Sequence, residues 1–316
     1  MILTLSEPGD TTAGLVVPRL TGPCLWWDPA SFPGESRITA SLVGGERRIV
    51  LTTGGVPYDL GQVSAIWDRR PGQPRIPVVV TDPAHREWAA STAAELLEGV
   101  WASLPARRLP GRREDVRLAQ NKLVHLARAA ELGFSVPETV MTNDPAELAP
   151  FWERTGGELV TKTTYPADLT LYGERHHAYT SAADRRHLRS RHRLRHAPAI
   201  LQPNVPKAVE LRVTVVGERV FTAEIDSQAG ASTRQDWRHY EDSAERYRAG
   251  KLPGEVEARC VELVRSFGLS FGALDLIVTP EGEHVFVDLN PNGQWAWIED
   301  LTGLPISAAV AEWLAA

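Results

Sequence analysis

Asp275, Asp288 and Asn290 stand in a stretch, residues 271–293, that otherwise reads as a buried hairpin: two β-branched, apolar arms around the turn Pro280-Glu281-Gly282-Glu283. Side chains alternate along a strand, so Asp288 and Asn290 leave one face while Val287 and Leu289 leave the other. Asp275, on the facing arm, joins them if the pairing register allows. Three oxygen donors without a thiolate or imidazole suit a magnesium ion shared with phosphate oxygens and do not suit structural zinc. The plainer reading is that Asp275 interrupts a strand while Asp288 and Asn290 cap the Pro-Asn-Gly turn that follows. The cost of burying a carboxylate without a partner weighs against it.

A phosphate site also needs cations, and the sequence offers three. Lys122 lies on the flank of a predicted helix, Lys162 near the end of a predicted strand at 159–162, and Arg212 beside Glu210 on one face of the strand Val209–Val216. The other face of that strand carries Leu211, Val213 and Val215. Cations to neutralise a triphosphate together with oxygen ligands for a bridging magnesium form a coherent set. The chain has no Walker loop, no GxGxxG fingerprint and no kinase signature, so a nucleotide site here belongs to another architecture.

The elements that must position these residues are legible from periodicity and turn chemistry. Short strands are predicted at 2–5, 25–27, 48–52 and 63–67, then a helix over 85–102, and the proline- and glycine-bearing stretch 105–111 marks a first boundary. A helix starting at Asp115 places Ala119, Leu123, Leu126, Ala127 and Ala130 on one face and ends at Gly133 and Pro137. Asp144-Pro145-Ala146-Glu147 opens another, which Pro150 is expected to shorten or kink. A strand at 200–202, a hairpin turning at Gly217-Glu218-Arg219, and an amphipathic helix over 255–267 stopped by Gly268 lead into the acidic hairpin. The outcome is an α/β (α+β) chain in three units: 1–112, 113–198 and 199–316.

Composition narrows the partners. The 316 residues carry a formal charge of −6, which argues against general affinity for nucleic acid. The two cysteines, Cys24 and Cys260, are far apart, so a disulfide or thiolate metal framework is not expected, and a reduced, cytoplasmic protein is. No apolar run reaches membrane-spanning length, and residues 1–10 lack the pattern of a signal peptide, so no membrane partner is expected. Residues 184–196 pack arginines and histidines around Leu188 and Leu194. This reads as a solvated face or as a surface for an acidic peptide or phosphate; nucleic acid fits less well because no aromatic residues are interleaved.

Taken in order, Asn121-Lys122, the segment 133–137, Val160-Thr161-Lys162, Leu201-Gln202-Pro203-Asn204-Val205, Glu210-Leu211-Arg212, Asp275, Asp288 and Asn290 resemble the ATP-grasp superfamily of carboxylate-amine ligases. A narrower resemblance covers nearly the whole chain. Ser31-Phe32-Pro33, Ile66-Trp67-Asp68-Arg69-Arg70-Pro71, Pro206-Lys207 and Asn290-Pro291-Asn292-Gly293-Gln294-Trp295 look like the ATP-grasp ribosomal peptide maturases, relatives of the microviridin ligases that cross-link precursor peptides into graspetides.

The resemblance implies an ATP-grasp fold behind an N-terminal pre-ATP-grasp α/β domain, using ATP and Mg2+. It implies that Lys122 and Lys162 contact phosphates, Gln202 and the Val205 backbone meet adenine, Glu210 holds the ribose and Arg212 the transferring phosphoryl group. Asp275, Asp288 and Asn290 would bind two magnesium ions, and Arg238 would meet the acceptor carboxylate or acyl phosphate, a surface salt bridge being its alternative role. Arg69 and Arg70 invite the same reading, with a structural role as the alternative. The implied partner is a precursor peptide with a leader and an acidic core, and a homodimer is the candidate assembly. Position 288 is Asp where Glu is usual, and Thr163-Thr164-Tyr165-Pro166 lacks the glycine-rich loop of some relatives. A ligase adding a free amino acid to a peptide or protein tail, and a non-catalytic peptide-binding scaffold, remain alternative functions.

Overall fold

Apolar β-branched runs and their turns form five sheets in the computed structural model, which describes residues 1–164, 168–171, 174–177, 180–229 and 246–316, with 168–171 and 174–177 as backbone. The N-terminal sheet is parallel, in the order β2 (Cys24–Trp27), β1 (Ile2–Ser6), β6 (Ala65–Arg70), β7 (Arg107–Leu109). A three-stranded antiparallel sheet of β3 (Arg37–Val43), β4 (Glu46–Thr53) and β5 (Val56–Asp59) is inserted between β2 and β6. Helix α1 (Thr11–Val16) follows β1, and α2 (Pro83–Ser103), capped by Asp82, buries Leu97, Val100 and Trp101 against Leu3, Leu5, Trp27, Leu51 and Ile66. Strand β7 lies inside the stretch expected to be only a boundary. Pro105 and Pro110 fall outside its three residues and cost the ladder no donor, while Leu109 is fully buried.

The single helix expected from Asp115 is two. α3 (Arg113–Ala119) stops, and Asn121 caps α4 (Lys122–Glu131) by accepting from the N–H groups of Leu123 and Val124 at 3.1 and 3.3 Å. The break changes the buried face: His125, Leu126 and Ala129 are buried and Leu123 is 62% exposed. α5 (Pro145–Arg154) continues through Pro150 instead of ending there. Its loss of one helical hydrogen bond is set against the burial of Leu148 and Phe151, each of the order of 1.5–3 kcal/mol.

The central sheet runs β12 (Ser181–Ala182), β9 (Leu159–Thr163), β13 (Ala199–Pro203), β8 (Val140–Thr142), beside a separate hairpin of β10 (Asp168–Leu171) and β11 (Glu174–His177). Its outer face packs Leu159 and Leu201 on Leu148 and Phe151. Leu188 and Leu194 join that core, so the arginine-rich tract, which forms α6 (Arg185–Arg189) and a short 3-10 turn, is pinned by its two leucines with its arginines outward.

The C-terminal sheet is antiparallel in the order β16 (Tyr247–Gly250), β15 (Arg219–Ile225), β14 (Val209–Val216), β17 (Phe271–Val278), β18 (His284–Asn290). Gly217, at φ 61°, makes the tight turn between β14 and β15. α7 (Gly254–Ser266) covers one face, where Leu211, Val213, Val215, Leu274, Leu276 and Phe286 meet Val256, Cys260, Leu263 and Val264. The chain then returns: α8 (Ala296–Thr302) and α9 (Ile306–Ala315) share a core with Ile2, Ala65, Trp67 and Leu109 of the N-terminal sheet.

Candidate functional site

The face of the C-terminal sheet opposite α7 carries a row of charge. Arg212 on β14 stands opposite Asp275 on β17, and Asp275 opposite Asp288 on β18. Asn290 pairs two residues along, opposite Ala273. The register slips between Asp275 and Leu276, so β18 carries an extra residue, Val287, at that point. That bulge lets Phe286 enter the core opposite Leu276 while Asp288 still faces Asp275. Strict alternation would have put Phe286 and Asp288 on one face.

Arg212, 5% exposed, donates from Nη1 to Asp275 Oδ1 at 2.9 Å and from Nη2 to the Gln294 carbonyl at 3.3 Å. Gly293 makes room for it. A Cβ there would lie 2.6 Å from Arg212 Nη2 and 2.6 Å from the Ala273 Cβ, which accounts physically for the glycine in the Asn-Pro-Asn-Gly-Gln-Trp segment.

At the far end of the row Lys122 Nζ donates to Asp288 Oδ1 at 2.6 Å. Burial alone would raise the Asp288 pKa, but Lys122, His125 and Lys162 overcome it and hold the carboxyl down at about 2. His125 is the group that sequence reading missed. Fully buried, with Nδ1 on the Ala119 carbonyl at 3.0 Å, it brings Nε2 to 3.3 Å from Asp288 Oδ1. Burial lowers its pKa, with Asp288 opposing. It was hidden because a helix read as continuous from Asp115 puts position 125 off the apolar stripe.

The inner face of the central sheet supplies the other cation. Lys162 pairs with Ile200 and Val160 with Gln202, on the side opposite Leu159 and Leu201, and the Lys162 charge acts on Asp288. Gln202, 2% exposed, donates to Thr139 Oγ1 at 2.9 Å. Val205, half-buried in the linker to β14, engages no other backbone group among the described residues with its own N–H or C=O. Lys207 Nζ donates to Glu210 Oε1 at 3.0 Å. Burial raises the Glu210 pKa, Lys207 and Ser227 opposing, and buried Oε2 makes no hydrogen bond, an acceptor suited to a sugar hydroxyl. Arg238 lies outside the described residues.

Arg69 is brought to the same neighbourhood but turned inward. At 1% exposed it donates to the Asn292 backbone and side-chain oxygens at 3.3 and 3.4 Å, to Thr12 Oγ1 at 3.2 Å and to Gln294 Oε1, with Asp10 3.4 Å away. Burial pulls its pKa down to about 10, against Asp10 and with Arg70. Asn292 returns the contact by donating to the Asp68 and Arg69 carbonyls at 3.2 and 2.5 Å. This closed set ties the N-terminal sheet to the loop after the acidic hairpin. Arg70 is exposed. Beside Asn292 a cavity of about 350 Å³ opens, with Trp101, Asp68 and Arg113 in its wall.

The donor set fits magnesium. Asp275 and Asp288 each have one oxygen engaged by a cation and leave Oδ2 without a hydrogen bond among the described residues. Asn290 Oδ1 accepts from the Asn292 N–H at 3.1 Å, so the turn-capping role is real for this residue, and the amide oxygen keeps a second lone pair.

A central sheet with Lys162 and Gln202 on one face, and an antiparallel sheet with the Arg212, Asp275, Asp288 row and Lys122 of α4 at its end, form the arrangement expected of an ATP-grasp ligase. No protein-family model matches the chain, and no curated protein matches it. Solved structures do. An ATP-grasp ligase associated with ribosomal peptide modification in Chryseobacterium gregarium, solved with ADP and a leader and core peptide, superposes at TM-score 0.92 and 26% identity over 99% of this chain and 96% of its own. The macrocyclase MdnC of Microcystis aeruginosa, solved with the precursor peptide MdnA, gives 0.86 and 29% over 99% and 98%. The macrocyclase MdnB of the same organism gives 0.80 and 31% over 99% and 98%. The chain belongs to this family of ATP-grasp macrocyclases and ligases of ribosomally made peptides.

Proposed function

We propose that this protein uses ATP to activate Asp or Glu side chains of a ribosomally made precursor peptide as acyl phosphates and closes them onto hydroxyl or amine side chains, giving ester or amide cross-links. The carrying observation is the row Arg212, Asp275, Asp288 on adjacent register positions, with Lys122 on its end and the Lys162 charge acting on it.

The peptide carboxylate, with an ordinary pKa of about 4, is ionised at neutral pH and needs no general base. Its oxygen bonds to the γ-phosphorus as the bond to ADP breaks. Lys122 and Lys162 hold the phosphates, Gln202 and the Val205 backbone the adenine, Glu210 Oε2 the ribose, and Arg212 stabilises charge on the transferring phosphoryl group. Asp275, Asp288 and Asn290 would hold the magnesium, which supplies charge neutralisation at the phosphates. The acceptor hydroxyl or amine then bonds to the acyl carbon, phosphate leaves, and the proton of the nucleophile passes to solvent. Arg238 is assigned to the acyl phosphate or acceptor carboxylate. The cavity beside Asn292 adjoins this chemistry and suits a segment of the peptide.

The substrate of this reading carries a leader and an acidic core, and the reaction takes place in the cytoplasm on a homodimer. None of the helices among the described residues is long and apolar enough to cross a membrane. The test is mass spectrometry of a candidate precursor peptide with an Asp/Glu-rich and Thr/Ser- or Lys-rich core after incubation with the protein, ATP and magnesium. Loss of one water mass per bond is expected. An added residue mass would indicate ligation of a free amino acid, and no mass change with ATP still bound would end the proposal.

A further inference from the structure

An imidazole stands where only oxygen donors were expected. The Ala119 carbonyl can only accept, so His125 Nδ1 carries the proton and donates to it. The ring lies edge-on to Phe286, with centroids 5.7 Å apart at 89°, which fixes its direction. Nε2 is fully buried, makes no hydrogen bond among the described residues, and stands 3.3 Å from Asp288 Oδ1. In this tautomer a buried, unprotonated nitrogen stands beside a carboxylate oxygen, two donors close enough to share a cation.

Both features are those of a metal-binding histidine. Such histidines donate their second ring nitrogen to a backbone carbonyl or carboxylate, which sets the tautomer and aims the free lone pair. Nitrogen and oxygen donors bonded at about 2.1 Å on neighbouring positions of one coordination sphere stand about 3 Å apart. We propose that His125 Nε2 and Asp288 are joint ligands of one divalent cation, making this a mixed nitrogen and oxygen site that prefers manganese(II) or cobalt(II) to magnesium. The preference follows from imidazole being the softer donor. The inference rests on the assignment of Asp288 to the metal in the proposed function. The Lys122 ammonium supplies the positive charge at the same oxygen in the structure, and nucleotide phosphates offer it another partner. Cation affinity therefore rises when ADP is bound.

The test uses the full chain with ADP and manganese(II). Pulsed electron paramagnetic resonance is expected to show hyperfine coupling to an imidazole nitrogen, altered by isotope labelling of histidine, and competition titration is expected to show manganese bound more tightly than magnesium. His125→Gln should abolish the coupling and weaken manganese binding about 10-fold or more, with magnesium binding changed less. His125→Asn is the second variant should the first not fold, and the spectrum of the unsubstituted protein requires neither. Manganese bound without nitrogen coupling overturns the His125 assignment and leaves Asp288 as a metal ligand. ADP bound with no divalent cation beside it overturns both.

Discussion

Arg212 and Arg69 are both almost fully buried, and both reach Gln294, one through its backbone oxygen and the other through its side chain. Their partners differ. Arg69 closes on the buried Asp10 and Thr12 and on the half-buried Asn292 and Gln294, which are bonded in turn within the same set. Arg212 closes on Asp275, which keeps a second oxygen and 20% of its side chain open, in line with Asp288. A buried charge whose partners are all satisfied holds a structure together; one whose partner still has open oxygen donors is prepared for a ligand.

The comparison breaks most readily at Arg69. Arg69→Ala leaves the buried Asp10 carboxylate without its cation and the Gln294 amide without its donor, and a loss of about 3–5 kcal/mol in unfolding free energy is expected from denaturant titration. Arg212→Ala should do the reverse: precursor-dependent ATP turnover falls about 10²–10³-fold while the unfolding midpoint moves far less than for Arg69→Ala. Equal stability losses for the two would erase the distinction. Gly293→Ala presses a methyl group on Arg212 Nη2 and Ala273, and a cost of about 1–3 kcal/mol together with a fall in turnover is expected.

Acid should act on the row through Asp288. Asp288 titrates at about 2 in the folded chain against an ordinary value of 3.8, so its contribution is complete above about pH 4 and lost as the pH falls toward 2. In Asp288→Asn that part of the acid dependence, at most about 2.5 kcal/mol, should vanish from stability measured against pH. The smallest effect is expected in the arginine-rich tract. Arg193→Ala, on a segment pinned by Leu188 and Leu194, should leave stability within about 0.5 kcal/mol.

What sequence could show follows the same division. The acidic hairpin was legible because β-branched arms and a Pro-Glu-Gly-Glu turn leave few alternatives, and the Glu210 and Arg212 face followed from alternation with Leu211, Val213 and Val215. The bulge at Val287 was not, because an apolar residue suits a regular strand and a bulge equally. The break at Asn121 was read through for a similar reason: Ala119, Leu123 and Leu126 keep helical spacing whether or not a cap intervenes. His125 was lost with it. The role of Arg69 depends on Gln294, 225 residues away, a contact that no local pattern announces.

A peptide carboxylate that becomes an acyl phosphate at the Arg212, Asp275 and Asp288 row gives up one of its own oxygens to the departing phosphate. A precursor peptide whose Asp and Glu side-chain oxygens carry heavy isotope tests this directly, with ATP, the protein and a divalent cation, by mass analysis of the inorganic phosphate released. One labelled oxygen in phosphate for each cross-link formed is the expected result. Cross-linking with all the label retained in peptide or released as water would contradict it.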